Sequence, residues 1–146
     1  MVAVNKPLHD TDFYSWTQSQ MDALRRRSAN ELDWDGLAEE MAALGASEIR
    51  ELEQRFRVLQ THLLKWILQP ERRGRSWRNS IENQREAIED HLNLNPGLKP
   101  HEAQQFARAY RKARRDASSE MDMDLVLIPA EAPFSLDEAK DEAWWP

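Results

Sequence analysis

The sequence predicts an all-α fold: a single-domain bundle of about four main helices with a docked C-terminal tail and a short last helix. Three observations carry this expectation. Apolar residues recur at three- and four-residue steps along most of the chain. The breaks between these stretches carry helix-boundary chemistry, with proline and asparagine-glycine-type turns, and little strand-like alternation. The 146 residues include 40% hydrophobic side chains and six tryptophans, enough for one substantial core.

The first predicted helix places Phe13, Trp16, Gln20 and Leu24 on one face, with Gln20 a polar intruder. Thr11 or Asp10 is the expected cap, and Arg25, Arg26 and Arg27 suit the negative end of the helix dipole. "SANELDWDG" connects it to the clearest element. There, Ala38, Ala42, Gly45, Ile49, Leu52, Phe56, Leu59, Leu63 and Trp66 alternate four- and three-residue steps, the seam of a helix packed at coiled-coil-like angles. Its first third is small enough for a partner helix to approach closely, and Gly45 is a point where the element can divide, with Ser47 as a cap. Pro70 ends the helix near Gln69.

A third helix is expected after Ser76 as N-cap, burying Trp77, Ile81, Ile88 and Leu92. "NLNPGLKP" is a turn. A fourth helix runs from about Pro100 through Ala103, Phe106, Ala107, Tyr110, Ala113 and Ala117. "LVLIP" is a short strand or an extended segment on the core. Ser135 and Glu138 form a capping box for the last short helix, and Trp144 and Trp145 are expected to dock. Residues 1–9 are expected to be flexible, and residues 121–146 to pack on the bundle as an acidic tail.

Composition excludes several classes of function. With no cysteine, disulfides, thiolate nucleophiles and cysteine metal sites are absent, which fits a reducing compartment. No apolar run reaches the ~20 residues of a membrane helix, so a cytoplasmic protein without membrane contact is expected. The net charge of −6 is uneven. Residues 1–70 hold 8 basic and 11 acidic side chains, residues 71–120 hold 11 and 8, and residues 121–146 hold 1 and 7. The middle of the chain is therefore basic and the tail acidic.

No zincin motif, P-loop, nucleophile elbow or dinucleotide fingerprint occurs, and nothing ties a serine to a histidine. No catalytic residues, metal site or cofactor are expected. A metal-assisted hydrolase would have to draw on Glu39, Glu40, Glu48 and His62, but Glu48, Arg55, His62 and Gln69 read first as a polar flank beside the seam. Two basic clusters are candidates for anion or nucleic-acid binding: Arg72, Arg73, Arg75 and Arg78 around Trp77, and Arg108, Arg111, Lys112 and Arg115 on one helix face. A solvated helix face neutralised by the acidic tail explains the same residues, and Trp77 falls on the apolar face with Ile81.

"DFYSWTQSQ", "LDWDGLAEEMAALG", "HLLKWILQPERRGRSWRNSI" and "FSLDEAKDEAWWP" occur in this order. Together they resemble the bacterial family catalogued as domain of unknown function twenty-nine, from about residue 10 to the end. The shared pattern includes His62, Leu63, Lys65, Trp66, Gln69, Pro70, Arg73, Ser76 and Trp77, while Gly74 departs from it. The resemblance implies a small, mostly helical bacterial domain with no assigned activity, cofactor or catalytic residue. The leading expectation is a non-catalytic module for protein–protein contact, with a homodimer as one form; the alternatives are anion or nucleic-acid binding and, third, the hydrolase.

Overall fold

A computed structural model describes residues 7–146. Every regular element among them is helical: α1 (Leu8–Thr11), α2 (Phe13–Arg25), α3 (Trp34–Leu68), α4 (Arg75–Leu94), α5 (Glu102–Met121) and α6 (Leu136–Lys140), joined through short 3-10 turns. The four long helices match the expected all-α fold. The chain divides into two compact units, Met1–Ala46 and Ser47–Pro146, and α3 contributes to both. Gly45 does not divide α3, because neighbouring turns supply its hydrogen bonds and one glycine costs a helix only about 1 kcal/mol.

In the first unit the cap of α2 is Asp12, not Thr11 or Asp10, which lie inside α1. Its carboxylate accepts from the backbone N–H of Ser15 at 3.0 Å and from the Ser15 hydroxyl at 2.6 Å. Of residues 1–9, the first six lie outside the described residues. His9 is held by Glu40 at 2.6 Å and by the edge of the Trp16 ring, with centroids 4.5 Å apart. The buried face of α2 is Trp16, Gln20 and Ala23. Phe13 and Leu24, predicted on that face, are about half exposed.

Gln20 is no intruder. Its carbonyl accepts the Asp33 N–H at 2.7 Å and its amide donates to the Glu31 carbonyl at 3.4 Å, so it holds the connector in place. Asp33 then opens α3. One carboxylate oxygen accepts from the Gly36 N–H and the other from the Trp16 indole, each at 3.0 Å. These bonds hold the Asp33 carboxyl below its usual range.

The His9 imidazole is shifted the other way, raised above 6.5 chiefly by its hydrogen bond to Glu40. A raised folded value means this contact stabilises the first unit fully below pH 6.5 and is lost as pH rises through the folded value. The expected result is a His9 ring titration above that of an unstructured histidine, followed by proton NMR. Glu40→Gln should return it toward the ordinary value.

In the second unit one core joins three helices and the tail. It contains Leu52, Phe56, Leu59, Leu63 and Leu64 of α3, Ile81, Ile88 and Leu92 of α4, and Phe106, Ala109, Tyr110, Ala117 and Met121 of α5. Ala103 and Ala107, predicted on the buried face of α5, are exposed. Helix α5 starts at Glu102, because Pro96–His101 forms a 3-10 stretch containing Pro100. Helix α4 is capped by Gly74 in extended geometry, and Ser76 is already helical and exposed. Trp77 is half-buried and packs against the core.

"LVLIP" is neither strand nor extended segment. Leu125–Leu127 is a 3-10 turn opened by Asp124, and Ile128 alone of its apolar residues is buried. The capping box of Ser135 and Glu138 forms as expected. Ser135→Ala is expected to cost about 1 kcal/mol in denaturant unfolding. The tail docks as predicted: Ile128, Phe134 and Ala139 are buried in the core, and Trp144 and Trp145 pack against it.

Arginine side chains hold the tail by its backbone. Arg114 donates to the carbonyls of Ile128 and Leu125 at 2.8–3.0 Å. Arg85, 3% exposed, donates from Nε to Ala139 at 2.8 Å and from Nη2 to Trp144 at 2.9 Å. Trp66 donates its indole N–H to the Pro146 carbonyl oxygen at 3.1 Å.

Candidate functional site

The arginine corner between α3 and α4 is built into the fold. Arg73 turns back to donate to the Trp66 carbonyl at 2.7 Å, satisfying one of the carbonyls that end α3, and its guanidinium lies 5.1 Å from the Trp66 ring centroid. Arg78 stands 4.4 Å from the Trp145 ring and 5.6 Å from Trp66, and Arg85 stands 5.1 Å from the other partner of the stack, Trp145. The two indoles are 4.9 Å apart. Each such cation–π contact contributes ~0.5–2 kcal/mol. Arg73 and Arg78 are therefore committed to aromatic rings and a helix end. Arg72 and Arg75 are exposed, with no partner among the described residues.

On α5 the predicted stripe is split. Lys112 pairs with Glu53 at 2.5 Å, whereas Arg108, Arg111 and Arg115 are exposed and make no ion pair among the described residues. The acidic tail neutralises neither cluster by a direct ion pair; Lys140, its one cation, pairs with Glu102 of α5 instead. The tail docks through carbonyls, and its carboxylates stay at the surface.

The members of the hydrolase set each have partners of their own. Glu40 holds His9, with Glu39 3.9 Å from the same ring. Glu48 stands beside His91 instead. The Nδ1 of His62 lies 2.9 Å from the Val58 carbonyl, a bond within its own helix. Of the other signature positions, Lys65 reaches Glu120 at 3.4 Å and stands over the Trp77 ring, and Gln69 is half-buried at the helix end.

One feature escaped sequence reasoning. The face of α3 that builds the core at Leu52, Phe56 and Leu59 continues toward the helix start as Trp34, Ala38, Met41 and Gly45. There every one of these residues is exposed, Trp34 by 65% and Met41 by 67%. Among the described residues of the first unit no helix covers the Ala/Gly third, and a Cβ on Gly45 would meet nothing within 4 Å. The alternating step was readable; that its first three members, Ala38, Ala42 and Gly45, are exposed was not. Among the described residues, eight of the eleven exposed large apolar side chains lie between Leu8 and Leu44, which concentrates exposed apolar surface on the first unit.

The family model described as Domain of unknown function DUF29 matches residues 8–145. The chain belongs to the DUF29 family. No curated protein and no solved structure matches it. The match takes in the arginine corner, so in this DUF29 chain the Trp66–Arg73–Arg78–Trp145 stack lies inside the family's own span. No described helix is long and apolar enough to cross a membrane.

Proposed function

We propose that this DUF29 protein is a non-catalytic module for protein–protein contact that pairs with a second copy of itself through the exposed face of α3. The observation behind this reading is the order of bulky and small residues on that face. Trp34 and Met41 are knobs seven residues apart, and Ala38 and Gly45 are gaps with the same spacing. An antiparallel pairing about a two-fold axis between residues 39 and 40 sets Trp34 opposite Gly45 and Met41 opposite Ala38, twice over. Such self-complementarity is what an isologous dimer requires. Phe13, Tyr14, Met21 and Leu24 supply further exposed apolar area on the same unit. In this reading the chain acts in the cytoplasm, for which its cysteine-free composition is suited.

Sedimentation equilibrium over a wide concentration range tests this. The wild type is expected to show a monomer–dimer transition, and Gly45→Leu, which the open space around Gly45 accommodates, is expected to weaken it at least tenfold while keeping the helical signal. A wild type that stays monomeric throughout, or a Gly45→Leu protein that associates as well as wild type, would overturn the reading.

A second reading is favoured by the three unpaired guanidiniums of Arg108, Arg111 and Arg115, which form a row for a polyanion. It requires a salt-dependent mobility shift with generic nucleic acid that the triple alanine variant abolishes. Absence of a shift at low salt removes it.

A further inference from the structure

A second group of side chains has the composition and spacing of a cation site. Glu48 and Glu51 on α3 and His91 on α4 each offer one ligand atom, and these atoms lie within 4.8 Å of one another. The His91 side chain is only 7% exposed. Its Nε2 lies 2.9 Å from the Glu48 backbone carbonyl, an acceptor only, so Nε2 carries the hydrogen and donates it. In the neutral ring Nδ1 is then a bare lone pair. It makes no hydrogen bond, yet it faces Oε2 of Glu51 at 3.3 Å.

Two acceptors facing each other repel unless a positive centre stands between them. A proton on Nδ1 is one such centre and a divalent ion is another. Nitrogen and oxygen ligands on a tetrahedral divalent ion, with bonds of about 2.0–2.1 Å, stand about 3.3–3.4 Å apart. The observed separation fits the ion. The supporting bonds fit as well. The imidazole is oriented by a backbone carbonyl, and the other oxygen of Glu51 accepts from Arg55 Nη2 at 2.9 Å, leaving Oε2 free. The Glu48 carboxylate, whose Oε2 stands 3.6 Å from Nε2, belongs to the same group of ligand atoms within 4.8 Å of one another and brings the set to one nitrogen and two oxygens.

We propose that Glu48, Glu51 and His91 bind one zinc-class divalent cation between α3 and α4, with water filling the remaining position. One imidazole with two carboxylates suits zinc among the common divalent ions, since magnesium and calcium take oxygen sets. The site is distinct from the exposed face of α3 and stands whether or not that face pairs.

The test uses the full chain, stripped with a chelator and titrated with zinc chloride in a calorimeter. One saturable site per chain and a higher melting temperature are expected. Glu51→Gln, of the same shape, should weaken binding at least tenfold, and Glu40→Gln should bind as wild type does. Cobalt(II) in place of zinc should give the intense visible absorption of a tetrahedral centre. Circular dichroism checks that each variant is folded. No saturable zinc binding by the folded wild type, equal binding by Glu51→Gln, or a cobalt complex without tetrahedral intensity would each overturn the proposal. If Glu51→Gln does not fold, the wild-type titration and the cobalt spectrum decide it alone.

Discussion

Replacing Arg85 with methionine is expected to destabilise the second unit by about 2–4 kcal/mol and to release the end of the tail, because two hydrogen bonds from a charged donor are lost and two carbonyls are left without partners. Arg85 is 3% exposed and bonds the carbonyls of Ala139 and Trp144 at once, through Nε and Nη2. Methionine keeps much of the buried stem but neither donor. The effect is not larger because burial already disfavours the charged guanidinium, lowering its pKa, and Nη1 is buried without a hydrogen-bond partner. Removing the charge therefore recovers part of the desolvation cost. Arg85→Lys should lose nearly as much, since one ammonium cannot span both carbonyls in the geometry of a guanidinium fork. Denaturant unfolding measures the loss, and faster proteolysis after residue 140 reports the freed tail. An Arg85→Met protein with wild-type stability and an equally protected tail would show that Arg85 does not hold it.

Gly36→Ala is expected to cost the first unit about 2–4 kcal/mol, against a usual gain of about 1 kcal/mol when alanine replaces glycine inside a helix. The reason is space. A Cβ at position 36 would run into Asp33 Oδ2 and lie 2.8 Å from Asp33 Cγ and 2.9 Å from Trp16 Cζ2. The carboxylate that caps α3 would have to leave, taking with it the bonds to Gly36 N–H and the Trp16 indole. Loss of such a cap alone costs ~0.5–2 kcal/mol, and overpacking against Trp16 adds to it. Gly45→Ala is the control: with nothing within 4 Å it should stabilise by up to about 1 kcal/mol. Thermal melts followed by circular dichroism separate the two, and similar melting temperatures for both variants would contradict the steric argument.

Much of the fold was legible because period and boundary chemistry are local. The step from Ile49 to Trp66, the stop at Pro70 and the capping box at Ser135 each depend on a few adjacent residues, and the structure bears them out. The misses share a cause. Ser76 resembles a cap in sequence, but the chain turns early enough at Gly74 to make it helical. "LVLIP" has the branched residues of a strand and no neighbouring strand to pair with. Gln20 reads as a polar intruder and no pattern singles out Arg85, and only the tertiary structure shows the carbonyls and N–H groups they satisfy. The candidate site was less legible still. The basic clusters were visible as charge, but which arginines are tied to rings or carbonyls was not. Glu51 and His91 are forty residues apart, and no motif connects them.

The arginines that hold the tail grip main-chain oxygens, which every residue possesses. Ala139, Trp144, Leu125 and Ile128 are recognised at these points by position and not by kind. Acidic side chains such as Glu131 and Asp137 make no hydrogen bond to these arginines, so they are open to drift. Divergence within this lineage should therefore be asymmetric: loose along the tail's outward side chains and narrow at positions 85 and 114, where only a guanidinium reaches two carbonyls together.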